Sequence, residues 1–218
     1  LIVGITEAAG SNIEWLMNQF FRKEKEQYGD DIFRYMDEQI AKIPAGSDNL
    51  ICTPWMLGER CPVSSTTTRA TLFNINECHT REHLMRAVYE GIGYNLAWIL
   101  ENFKKDYKLS CRSFRVIGGG ALDDVWMQII ADITGTEFGV LENPRNAGAL
   151  GGALIALIGL GVLKDFSDAH KFTRVSKTYI PNAQNHELYK KLFQSYKDVF
   201  YGLKAAYDRA NKERFSSK

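Results

Sequence analysis

The chain has 218 residues, 45% hydrophobic and 24% charged, with 27 Lys and Arg against 26 Asp and Glu for a net charge of +1. This is the make-up of a soluble globular chain, long enough for one large domain or two small ones. A charge so near zero leaves no global field to draw in nucleic acid or an anionic membrane, although backbone amides can still build a local anion site.

In chain order, residues 1–6 (LIVGIT) read as the interior of a buried strand. A strand that begins without Met or a basic region is no signal peptide and points to a piece of something longer. Gly10 breaks the chain and residues 11–28 read as a helix, with SNIE as a capping box (Ser11 the N-cap, Glu14 reaching back) and Gly29 closing it. Residues 31–40 predict a second short helix, 44–49 (PAGSDN) a loop, LICTPWM a short apolar strand, and 70–75 a further strand. Thr80 caps a long helix whose stripe is Leu84, Val88, Ile92, Ile99 and Phe103, interrupted by Asn95.

A strand at 114–117 runs into Gly118, Gly119 and Gly120, then a helix with stripe Trp126, Ile129, Ile130 and Ile133, ended by Gly135. Residues 138–141 predict a strand, NPRN a turn and 147–160 an apolar helix. From Pro181 a charged helix buries Leu188, Leu192, Tyr196 and Phe200, and residues 213–218 read as a frayed tail. Strands alternating with helices give an α/β fold with a partly parallel sheet and crossover helices. The uncharged stretch 147–163 carries five glycines and no aromatic anchor, so a closely packed buried helix is expected there instead of a membrane span.

Cys52, Cys61, Cys78 and Cys111 form no CxxC pair and no zinc spacing, which predicts four reduced thiols in a cytoplasmic protein. His79 and His83 read as helix-surface residues. In PWMLGERCP, Glu59 and Arg60 are expected to pair and anchor a loop, with a catalytic Glu59 as the lesser reading.

Two segments suit a ligand. In FRVIGGGALDDVW, a strand enters three glycines and then a helix beginning at Asp123 or Asp124. Glycines let a backbone approach a ligand closely, and a helix N-terminus offers unpaired N–H groups, so the turn is either a phosphate or ribose cradle or simply a tight connection. No Lys-Ser/Thr follows, and the spacing is not that of a dinucleotide fingerprint. In NAGALGGALIALIGLG, Gly148, Gly151 and Gly152 make a flat helix face, fitted either to packing on a sheet or to a flat ligand such as adenine.

PWMLGERCP, HTREHLMRAVYEGIGYNL, VIGGGALDDVWMQIIADITG and NAGALGGALIALIGLG, in that order, resemble the second lobe of FGGY carbohydrate kinases, nearest the xylulokinase-like branch. The likeness covers nearly the whole chain, residues 1–218, as one lobe. It implies an actin-like (ribonuclease H-like) ATPase lobe, a mixed sheet flanked by helices, gripping ATP with Mg²⁺ in a cleft between two lobes. It implies too that the first lobe, outside this chain, binds most of the sugar and supplies the general base. On this resemblance Gly119, Gly120 and Ala121 line the α-phosphate and ribose, and Asp124 stands near the adenine where the family commonly has Asn or a small polar residue. Gly10 and Glu14 face the nucleotide, Glu14 retaining its capping-box alternative, and Gly148 lies on the helix at the interdomain hinge. Xylulose is the implied substrate, with gluconate, ribulose and glycerol open, and a homodimer is left open. Two other readings stand beside it: a non-catalytic actin-like nucleotide switch, and an α/β interaction module without a ligand.

Overall fold

The computed structural model describes residues 2–212; the tail expected to fray lies outside them. Three helices open the chain: α1 (Gly10–Phe20), α2 (Arg22–Tyr28) and α3 (Ile32–Ile40). α1 buries Ile13, Leu16 and Met17, the three-and-four spacing of one helical face. The single helix expected over 11–28 is broken at Phe21, which is fully buried and leaves helical geometry at φ −129°. Gly29 does end α2, at φ 51°. The SNIE capping box does not form: the helix starts at Gly10, placing Ser11 inside it, and no side chain caps its N-terminus.

Residues 2–6 are not a strand. Val3 and Ile5 are 60% and 52% exposed, and among the described residues no neighbouring strand offers this segment a hydrogen-bond ladder.

β1 (Ile51–Thr53) and β2 (Thr71–Phe73) form an antiparallel pair. The long helix α4 (Arg81–Tyr107) follows, capped as expected by Thr80, with His83 completing the box. Then come β3 (Ser113–Val116), α5 (Asp124–Thr134) and β4 (Glu137–Leu141), a crossover unit whose two strands are parallel. α6 (Ala147–Gly159) leads to β5 (Val175–Tyr179), which the sequence reading passed over and which pairs antiparallel with β4. α7 (Ala183–Asn211) closes the chain with Tyr189, Tyr196, Val199 and Phe200 buried.

Residues 85–95 of α4 are buried without a break, because β1, α1, α3, α5 and α7 all pack around it. Gly91 makes this possible: a Cβ there would sit 2.2 Å from the Cys52 carbonyl oxygen, so only glycine lets α4 rest on β1. Asp132 ties α5 to α7 by accepting from the Asn182 backbone N–H and the Asn185 side chain, each at 2.8 Å. The Asn182 side chain in turn accepts the Asn185 N–H at 3.0 Å and caps α7. Asn182→Ala is therefore expected to lower stability by about 1 kcal/mol, read as a lower urea midpoint at unchanged slope.

The apolar helix α6 departs from expectation. It buries only Leu154, while Ile155, Leu160 and Val162 in and just after it are 61%, 78% and 67% exposed. Apolar composition expresses a need for cover without supplying it, and within the described chain this helix meets chiefly the short turns before and after it.

Candidate functional site

A cleft of about 930 Å³ opens between the start of α1, the helices α2 and α3, and the turn between β3 and α5. Gly10 and Glu14 line it from α1, and Gly119, Gly120 and Asp124 line it from the turn and the first residue of α5. Five of the seven residues singled out in the sequence thus share one wall-to-wall space, although they lie more than a hundred positions apart. Ala121 is not on the wall: it is 3% exposed and packs into the core beneath the turn. Gly148 is not on it either; it stands on α6 with nothing within 4 Å of where a Cβ would lie.

The glycine turn is shaped by two separate needs. Gly118 adopts φ 95°, a conformation closed to most side chains, and its N–H donates to the Pro144 carbonyl at 2.8 Å. Gly120 lies against the Trp126 ring, where a Cβ would come within 2.7 Å of a ring carbon. Gly119 meets nothing within 4 Å, so its face belongs to the cleft.

The N-terminus of α5 is already served. The Asp123 carboxylate accepts the Trp126 N–H at 2.7 Å, so the free donors expected there are partly taken. Across the cleft the N-terminus of α1 has no acid in its first turn and no side-chain cap, so its positive end and the small Gly10 face the cleft. Lys25, Arg34 and Arg145 add positive charge to the walls.

Asp124 accepts from Tyr179 Oη and pairs with Lys177 Nζ at 2.5 Å. The Lys177 hydrogen bond, then that of Tyr179, holds its carboxyl below the usual carboxylate range. β5, unseen in the sequence, supplies both partners.

Sequence reasoning also missed the cleft floor. Asp37 on α3, Asp123, Tyr89 on α4 and Trp126 converge there. Burial first, and then the neighbouring Asp123 carboxyl, push Asp37 up to about 8, and burial raises Asp123 as well. Asp37 and the Tyr89 hydroxyl both turn to the Asp123 carboxyl, while Trp126 Nε1 is shielded from solvent without a hydrogen-bond partner. A group of that kind costs stability unless something else satisfies it.

Glu59 holds the approach to α1. It is 5% exposed, and its Oε1 accepts the Glu7 N–H at 2.7 Å and the Arg60 N–H at 2.9 Å. Its Oε2 accepts from Asn95 at 2.7 Å. The expected Glu59–Arg60 ion pair is absent because Arg60 pairs with Glu7 instead. Asn12 adds a buried hydrogen bond to the Pro54 carbonyl at 2.6 Å, so the wall that carries Gly10 is pinned from both sides.

The C-terminal domain of the FGGY family of carbohydrate kinases matches residues 1–160. The chain belongs to that family. It is 34% identical over 199 residues to the xylulose kinase of Bacillus subtilis (strain 168), covering 91% of this chain and 38% of that protein. The L-xylulose/3-keto-L-gulonate kinase of Escherichia coli (strain K12) is 29% identical over 202 residues, covering 92% of this chain and 38% of its own. Among solved structures, the ligand-bound xylulose kinase from Lactobacillus acidophilus superposes with a TM-score of 0.83 at 28% identity, covering 94% of this chain and 40% of that one. The gluconate kinase from the same organism gives 0.83 at 27% identity with the same coverage. This FGGY chain thus spans about two fifths of the length of the relatives it matches, and its fold is that of the sugar kinases of the actin-like ATPase family.

Proposed function

We propose that this chain is the nucleotide-holding lobe of an ATP-dependent sugar kinase that transfers the γ-phosphate to a hydroxyl of a pentulose, xylulose first. The observation that carries the reading is the cleft, in which Gly10, Glu14, Gly119, Gly120 and Asp124 meet from two distant segments. The exposed glycine face of the turn admits a ribose or phosphate at close range, and the open N-terminus of α1 favours an anion.

Mg²⁺ would arrive with the phosphates. Among the described residues no group of three His, Cys, Asp or Glu side chains is arranged to hold a metal, so none is assigned as a ligand here. Phosphoryl transfer requires in-line placement of the acceptor hydroxyl and stabilisation of charge on the transferred group. In this reading the sugar site and the general base for the hydroxyl belong to a first lobe that closes over the cleft. No described helix is long and apolar enough to cross a membrane; the kinase is proposed to act in the cytoplasm.

Calorimetric titration with ADP and Mg²⁺ tests the reading. The chain is expected to bind ADP and to show no ATP-dependent phosphorylation of xylulose by itself. A chain blind to ADP at millimolar concentration would remove the nucleotide role. Phosphorylation of a pentulose by the isolated chain would show that the division of labour is wrong.

A further inference from the structure

The chain that leads into α1 has little of its own to hold it. Ala9 stands at the N-cap and brings no side-chain oxygen to the first turn. Residues 2–6 pair with no strand among the described residues. Placement of this entry falls to a neighbouring loop. The Glu7 N–H donates to Glu59 Oε1 at 2.7 Å, and the Glu7 carboxylate takes the Arg60 guanidinium.

Glu59 serves there as an acceptor at both oxygens. Asn95 Oδ1 accepts from Trp55 Nε1 at 3.1 Å and from Tyr196 Oη at 3.3 Å. Those two bonds fix the Asn95 amide with Nδ2 toward Glu59 Oε2, at 2.7 Å. A glutamine in place of Glu59 has one acceptor end and one donor end. Turned either way, it would set N–H against N–H, at Asn95 or at Glu7.

Glu59 is not on the cleft wall, whereas Ala9, Gly10, Ile13 and Glu14, just beyond Glu7, are. Lys25, Arg34 and Arg145 stand in the same cleft as the uncapped end of α1, and together they suit the phosphates of a nucleotide. We propose that Glu59 is a positioning residue for the phosphate end of the nucleotide: through the Glu7 amide it sets where the first turn of α1 stands in the cleft. The inference rests on the nucleotide reading above and adds to it a residue outside the cleft on which phosphate affinity depends. Asn12, bonded to the Pro54 carbonyl at 2.6 Å, holds α1 independently, so loss of the Glu59 contact shifts the entry without releasing the helix.

The test is calorimetric titration of the 218-residue chain with ADP and Mg²⁺ and, separately, with adenosine. Three forms are compared: the unaltered chain, Glu59→Gln, and the double variant Glu59→Gln with Asn95→Asp. Glu59→Gln is expected to weaken ADP about tenfold, the scale of a helix end's hold on an anion, and to leave adenosine within about twofold. A merely structural role would lower both together. In the double variant the new amide donates to the new carboxylate, while acceptors remain for Glu7, Trp55 and Tyr196 and the charge of the pair is unchanged. ADP affinity should then return to within about threefold of the unaltered chain. Hydrogen exchange on the unaltered chain decides the matter if the variants do not fold: the Glu7 amide is expected to be protected about a hundredfold over an open chain. Unchanged ADP affinity in Glu59→Gln, an equal fall for ADP and adenosine, no recovery in the double variant, or an unprotected Glu7 amide would overturn the inference and leave the nucleotide reading standing. If the unaltered chain binds neither ligand, the nucleotide reading falls and takes this inference with it.

Discussion

Replacing Glu90 by alanine is expected to cost about 3–5 kcal/mol, a large part of the roughly 5–15 kcal/mol that holds a domain folded. Glu90 is 1% exposed and pairs with Arg86 at 2.8 Å, one turn earlier on α4. It also accepts from the Gly46 N–H at 2.9 Å, Ser47 Oγ at 2.8 Å and Tyr189 Oη at 2.8 Å. Removing the carboxylate leaves the Arg86 guanidinium, whose side chain is only 9% exposed, without its counter-charge. Arg86 keeps two of its hydrogen bonds, to the Ile40 carbonyl and to Tyr189, so the loss combines an uncompensated buried charge with the donors of Gly46, Ser47 and Tyr189 left without an acceptor. Because this cluster joins α3, α4, α7 and the turn at Gly46, the effect should appear as one cooperative shift of the urea transition. A shift below 1 kcal/mol would mean that water reaches Arg86.

The second large effect concerns binding and separates two adjacent glycines. Gly119→Leu is expected to weaken ADP binding about a hundredfold, near 2.7 kcal/mol, with the unfolding transition unmoved. The added side chain meets no protein atom within 4 Å of its Cβ and therefore fills the cleft. Gly120→Leu should instead disturb the protein, because its Cβ falls 2.7 Å from the Trp126 ring. Equal loss of stability in both variants would show that the turn is packed from both sides and that no ligand space borders Gly119.

The alternation of strands and helices made the α/β class legible, and the residues on which the site turns were legible unevenly. The glycine turn announced itself because three consecutive glycines between an apolar strand and a helix are rare without a cause. Asp37 gave no such sign. One acid on an amphipathic helix reads as a solvated face, and its meeting with Asp123 is made only by the packing of α3 against α5. Asn95 was visible as a fault in an apolar stripe, but not as the hub that accepts from Trp55 Nε1 at 3.1 Å and donates to Glu59 at 2.7 Å. β5 was overlooked because its middle residues are exposed on a sheet edge, where polar side chains mute the apolar signal. The break at Phe21 carries neither glycine nor proline; burial of its ring fixes the bend, and burial is a property of the whole fold.

Between Ala147 and Leu163 no position titrates, and most of the stretch lies outside the core. The adhesion of such a strip cannot be tuned by buffer pH, and added salt has no local charge there to screen. Molecules meeting through it would have to be kept apart by an occupant, a detergent or dilution.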